Sequence, residues 1–218
     1  IVLSDANLSM CVDAAVKGRM LNNGQSCIAA KRFIVHADVY DDFIAELKQS
    51  VEMLVVGDPT DSKTNAGPLA REDILNKIML QVDASIKLGA SLVTGGSRLN
   101  QNGFYYSPTI LADITEEMPV YSEETFGPVF SVFKFTDLDE MIELANDTDF
   151  GLGGSVWSED KDKALSIARK IETGAVFIND FTKSDPRLPF GGVKKSGYGR
   201  ELSEFGIKEF VNVKTIVV

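Results

Sequence analysis

One cysteine, Cys27, stands in Asn22-Asn23-Gly24-Gln25-Ser26-Cys27-Ile28-Ala29-Ala30-Lys31-Arg32, a polar, glycine-broken stretch between a helical pattern and a strand pattern. Upstream, Leu8, Val12, Ala15, Val16 and Met20 recur at helical spacing, and Asn23-Gly24 stops the helix because glycine takes left-handed geometry without penalty. Downstream, Phe33-Ile34-Val35 predicts a short buried strand. At such a crossing a thiol faces a cleft and backbone N–H groups are free to point at a bound oxygen, as nucleophilic chemistry requires. The structural alternative is a small cysteine packed in a core.

Other chemistries have fewer residues to draw on. The only histidine, His36, follows a strand and is expected at a surface strand end; with it alone a zinc site has too few soft ligands. Cys11 and Cys27 suggest neither a disulfide framework nor a metal site, which fits a reducing compartment. The formal net charge of −10, with no basic run longer than two residues, opposes a nucleic-acid partner. No apolar run approaches the ~20 residues that span a bilayer and no basic-then-apolar leader opens the sequence, so a cytoplasmic location is the expectation.

The elements that must position the thiol follow from periodicity. Tyr40, Phe43, Ile44, Leu47 and Val51 mark an amphipathic helix, and a loop through Asn65-Ala66-Gly67-Pro68 leads to a long helix from about Arg71 to Leu88. Strands are predicted at Ser91–Thr94, at Val129–Phe135, at Gly154–Trp157 and at Ala175–Ile178. The aromatic stretch Phe104–Leu111 reads as an edge strand. Helices are predicted at Leu138–Asn146 and Lys161–Ile171, and Lys208–Val218 alternates into a final strand. Strand and helix in alternation give an α/β fold, a mostly parallel sheet with helices on both faces. The opening Ile1-Val2-Leu3 reads as a buried strand followed by the helix cap Ser4-Asp5-Ala6-Asn7, and a fragment of a longer protein is expected.

Asn23-Gly24-Gln25-Ser26-Cys27, Glu123-Glu124-Thr125-Phe126-Gly127-Pro128 and Pro189-Phe190-Gly191-Gly192-Val193-Lys194-Lys195-Ser196-Gly197-Tyr198-Gly199-Arg200-Glu201 together resemble the aldehyde dehydrogenase superfamily, in that family's order and at similar separations. The resemblance covers nearly the whole chain. It implies a catalytic domain over residues 1–207 and a C-terminal oligomerisation strand over 208–218, with the N-terminal cofactor-binding domain outside the sequence. By the same resemblance Cys27 attacks the aldehyde carbonyl to give a thiohemiacetal, the Cys27 N–H holds the oxyanion, and hydride passes to NAD or NADP. The family's general-base glutamate and oxyanion-hole asparagine belong to motifs upstream of Ile1.

Glu124 matches the position that binds the nicotinamide ribose and Phe126 the residue beside the nicotinamide; the plain alternative is a solvated acidic pair on a turn. Phe190 resembles the aromatic lining the aldehyde tunnel, over glycines that are otherwise loop punctuation, and Asn179 resembles an asparagine near the thiol or is a lone polar strand end. Asp185-Pro186-Arg187 and Arg200-Glu201-Leu202-Ser203-Glu204-Phe205-Gly206 are most similar to bacterial succinate-semialdehyde dehydrogenases, which implies that Arg187 holds a substrate carboxylate bidentately. Leu21 departs from that subgroup, many of whose members carry arginine six residues before the nucleophile.

Two functions follow. One is an NAD(P)-dependent oxidation of a small aldehyde by a homo-oligomer of which this chain is the catalytic part. The rival is an inactive fragment whose remaining property is assembly through Ile216-Val217-Val218.

Overall fold

Apolar periodicity turns into an α/β architecture in the computed structural model, which describes residues 1–218. Helix α1 (Leu8–Met20) ends in a 3₁₀ turn, and the thiol loop leads into strand β1 (Arg32–His36) and α2 (Ala37–Glu52). There follow α3 (Glu72–Lys87), β2 (Ser91–Thr94), β3 (Thr109–Ala112), the single-turn α4 (Pro119–Ser122) and β4 (Val129–Phe135). The last part holds α5 (Leu138–Asn146), β5 (Phe150–Gly151), β6 (Gly153–Val156), α6 (Lys161–Ala168), β7 (Ala175–Ile178), β8 (Val193–Lys194) and α7 (Ser203–Lys208).

The main sheet has the order β1-β4-β3-β2, parallel except for β2, and β6 pairs with β7 in parallel. Ile1–Leu3 joins the two pieces. Val2 bridges Val35 on one side and Trp157 on the other, both in parallel register, and Val2 and Leu3 are buried. Its two faces are covered by different cores, Val2 entering one and Ile1 and Leu3 the other, which is why this segment reads as a continuous apolar run. Alternate side chains of β1 and β4 feed opposite cores. Phe33, Val35, Phe130 and Val132 pack under α1 and α2, while Ile34, Phe133 and Phe135 pack on the other face against Met141 of α5 and Ala164 and Ile167 of α6. Leu75, Ile78 and Val82 of α3 close a third core with Leu111 and Val129.

Three expectations change and one strand pair is new. Phe104–Leu111 is not an edge strand: β3 is shorter and lies between β4 and β2, so the edge is Ser91–Thr94, and Tyr105 and Tyr106 are buried packing residues. The helix predicted to Ile171 stops at Ala168, where the Lys170 and Ile171 N–H groups tighten onto Ile167 and Ala168. A short antiparallel pair, β5 with β8, ties the glycine-rich run to Phe150-Gly151, and two-residue strands leave no periodicity to read. The segment after Lys208 forms no strand within the chain. No residue after Lys208 pairs with an edge of any sheet. No helix is long and apolar enough to cross a membrane.

Candidate active site

The thiol loop is built by left-handed backbone. Asn22, Asn23 and Gly24 have φ of 51°, 56° and 76°, and asparagine tolerates this region because its short amide bonds locally. The Asn23 Oδ1 accepts from Gly67 N–H at 3.0 Å, and Gln25 Oε1 accepts from Ala70 N–H at 2.8 Å, so the Asn65–Pro68 loop and its continuation are stitched to the thiol loop. Gly24 also has no room for a side chain, since a Cβ would run into the carbonyl of Gly127. The first and second motifs therefore touch backbone to backbone.

Arg19 braces that contact from below. Its fully buried guanidinium donates to the carbonyls of Gly24 at 2.5 Å, Ala30 at 2.9 Å and Thr125 at 3.2 Å. Burial pulls its pKa down to about 9, against which the Glu124 carboxylate acts, and at neutral pH it remains a cation. Arg19 was not singled out from the sequence, yet a signal exists: it follows Val12 and Ala15 at spacings of seven and four on the buried face of α1, where a lone cation asks for internal acceptors.

Above it sits Lys31. Its ammonium donates to the carbonyls of Ser26 at 3.2 Å, Cys27 at 3.1 Å and Ala29 at 3.0 Å, pairs with Glu124 Oε1 at 3.0 Å, and lies 5.9 Å from the ring centroid of Phe126. Burial lowers its pKa and Arg19 adds to that, while Glu124 opposes both. Cys27 is exposed, and the N–H groups of Ser26, Cys27 and Ile28 donate to nothing in the chain. Cys27, Lys31, Glu124, Phe181 and Thr182 line one cavity of about 360 Å³. The structure thus brings Cys27, Glu124 and Phe126 together through Lys31.

Three other candidates stand apart from that cavity's lining. Arg187 is exposed on a turn and forks onto Asp185, with Nε at 2.9 Å and Nη2 at 2.5 Å, which holds the Asp185 carboxyl far below the usual range. Phe190 is buried and its backbone bridges Glu201. Asn179 spends its amide on Ser158, accepting from its N–H at 3.0 Å and donating to its carbonyl at 2.9 Å, so it locks the end of β7 to that of β6. The aromatic that does line the cavity is Phe181, two residues after Asn179, whose Cβ lies where a side chain on Gly18 would pack, at 3.5 Å. His36 caps α2, its Nδ1 accepting from Asp38 N–H at 3.2 Å. Cys11 is buried, and desolvation pushes its thiol up to about 12.

The model of the aldehyde dehydrogenase family matches residues 1–216. The chain belongs to the aldehyde dehydrogenase family. A succinate-semialdehyde dehydrogenase [NADP(+)] of Mycobacterium ulcerans is 52% identical over 218 residues, all of this chain and 48% of the relative. A probable succinate-semialdehyde dehydrogenase [NADP(+)] of Synechocystis is 53% identical over 99% of this chain and 48% of its own length. Among solved structures, succinic semialdehyde dehydrogenase from Streptococcus pyogenes with NADP+ superposes with a TM-score of 0.96 at 40% identity, over 100% of this chain and 48% of that one. An NAD-dependent aldehyde dehydrogenase from Sinorhizobium meliloti gives 0.93 at 39% identity, over 96% and 42%. The chain therefore spans about half the length of the aldehyde dehydrogenases it matches, and the thiol cluster lies in that half.

Proposed function

We propose that this chain is the thiol-bearing half of an enzyme that oxidises an aldehyde to its acid with NAD or NADP, with succinate semialdehyde as the substrate. The carrying observation is an exposed Cys27 in a cavity it shares with Glu124, both fastened to Lys31. The substrate reading rests on relatives that are named for succinate semialdehyde and NADP(+).

The Cys27 thiolate adds to the aldehyde carbon, and the carbonyl oxygen becomes an oxyanion to which the unbonded Cys27 N–H donates. A bound nicotinamide would supply the hydride acceptor that conversion of the thiohemiacetal to a thioester requires. Water then releases the acid and restores the thiol; the general base and the second oxyanion donor are expected from upstream of Ile1. Glu124 suits a ribose: Lys31 holds one carboxylate oxygen, and the other is left to accept from vicinal hydroxyls. Phe126, half-buried beside Lys31, offers an apolar flank to the nicotinamide. Phe190 and Asn179 are proposed as walls of the aldehyde path. Arg187 can hold a substrate carboxylate by exchanging Asp185 for it, since the guanidinium fork fits either. The unpaired thiols suit a cytoplasmic setting.

The test is reduced-nicotinamide formation from succinate semialdehyde by the full-length protein and by the 218-residue chain alone. Turnover by the first and none by the second is expected; no turnover by the full-length protein on any aldehyde overturns the reading. The exposed apolar tail favours a second reading, that the isolated chain keeps only the capacity to assemble.

A further inference from the structure

Lys31 makes more contacts to the thiol loop than any role in charge pairing requires. Its ammonium touches the carbonyl oxygens of Ser26, Cys27 and Ala29 as well as Glu124. In a trans peptide the C=O of one residue and the N–H of the next point in opposite directions. Holding the Ser26 oxygen therefore turns the Cys27 N–H away from Lys31, and holding the Cys27 oxygen does the same for the Ile28 N–H. Those two N–H groups are left without an acceptor in the chain, and both residues line the cavity. The third peptide is anchored at its far side, because the Ala30 N–H donates to Gly18 at the end of α1 at 3.2 Å. Lys31 is fixed in turn by Glu124, and its half-buried ammonium has few other acceptors to choose.

We propose that Lys31 is a positioning residue which, held by Glu124, grips the Ser26 and Cys27 carbonyls and so aims the Cys27 and Ile28 N–H groups at the oxygen that becomes charged when the thiol adds to a carbonyl. This rests on the reading of Cys27 as the nucleophile. It adds a consequence: the residue assigned to the cofactor ribose and the donors assigned to the oxyanion share one ammonium, so a change at Glu124 is felt at the thiol.

Two reactions of Cys27 separate this role from a bulk effect. Acylation by p-nitrophenyl acetate passes through an oxyanion, whereas alkylation by iodoacetamide does not, and both need the same thiolate. The ratio of the two rates in the full-length protein cancels any change in thiolate content or access. Lys31→Met is expected to lower that ratio by about 10-fold or more, since losing one oxyanion donor outright costs about 10²–10³. Lys31→Arg, which keeps a cationic multidonor, is expected to restore it to within about 3-fold. Glu124→Gln leaves Lys31 in place but removes its charged partner, and is expected to lower the ratio by less; it serves as the test if Lys31→Met does not fold. An unchanged ratio in the folded variants overturns the proposal, as does a fall that arginine fails to reverse. Neither reaction needs a nicotinamide, so a full-length protein that oxidises no aldehyde defeats the proposed function and leaves this ratio to decide the role of Lys31.

Discussion

The thiol cluster and the C-terminal run from Pro189 to Val218 are both recognisable as motifs, but they are completed differently. Around Cys27 the cations find partners inside the chain: Arg19 and Lys31 between them engage six backbone carbonyls and one carboxylate. The C-terminal run offers apolar groups that find none. Phe210, Val213, Val217 and Val218 are almost wholly exposed, and the β5–β8 pair and the bridge of Phe190 with Glu201 give sheet-like pairing only to the first part of that run. Buried cations fix a site because they cannot be left unpaired, whereas an uncovered apolar segment is held by nothing comparable.

The strongest attempt to break this contrast is on the thiol itself. Cys27→Ser in the full-length protein should lower aldehyde oxidation on the order of 10³-fold or more, because nucleophile and activation act as one unit. Iodoacetamide should label Cys27 and spare Cys11 in the folded protein, since Cys11 is buried and its thiol is pushed up to about 12, well above neutral pH. Peptide mapping reads the outcome, and labelling of Cys11 first would refute the assignment.

Next come the braces. Arg19→Met leaves the Gly24, Ala30 and Thr125 carbonyls without their donor and should cost roughly 3 kcal/mol in denaturant unfolding. Gly24→Ala forces a side chain into left-handed backbone and into the Gly127 carbonyl, and should cost roughly 2 kcal/mol. Either variant with wild-type stability would mean that the first two motifs do not depend on each other.

How much of this was legible depends on which force fixes each residue. The closeness of Cys27, Glu124 and Phe126 follows motifs that survive as strings, and the alternation of strands survived because burial on two faces writes nearly continuous apolar runs such as Val129–Phe133, broken only by Ser131. Lys31 and Arg19 were not readable as parts of the site. Their partners are backbone carbonyls, which every residue carries, so no sequence pattern announces them. The Phe104–Leu111 stretch misled for a related reason: Phe104 and Tyr106 pack into the core under α3, with only an isolated bridge from Tyr106 to Arg98 in place of a ladder, and composition does not distinguish the two.

A milder effect is expected at Arg187. Its side chain is exposed and its fork is already used by Asp185, so Arg187→Met should leave the melting temperature unchanged. If the fork exchanges Asp185 for the substrate's acid end, the same variant raises KM for succinate semialdehyde by about 10-fold, while KM for an uncharged aldehyde stays put. Equal KM changes for both substrates would remove Arg187 from substrate recognition.

The smallest effect on the fold, and the sharpest on assembly, should come from the tail. Ile216, Val217 and Val218 are exposed and belong to no apolar core of this chain, so deleting them removes little that the single chain depends on. Unfolding midpoints extrapolated to low protein concentration should therefore be unchanged. An apolar, β-branched segment with free N–H and C=O groups gains by adding to a sheet edge of a second subunit, where both its backbone and its side chains are covered. A homo-oligomer is the expected state of the intact protein, and light scattering at micromolar concentration should show the deletion shifting it toward monomer. If the undeleted protein is strictly monomeric, or if the deletion instead lowers the stability of the monomer, the tail belongs to the fold after all, and its contrast with the thiol cluster disappears.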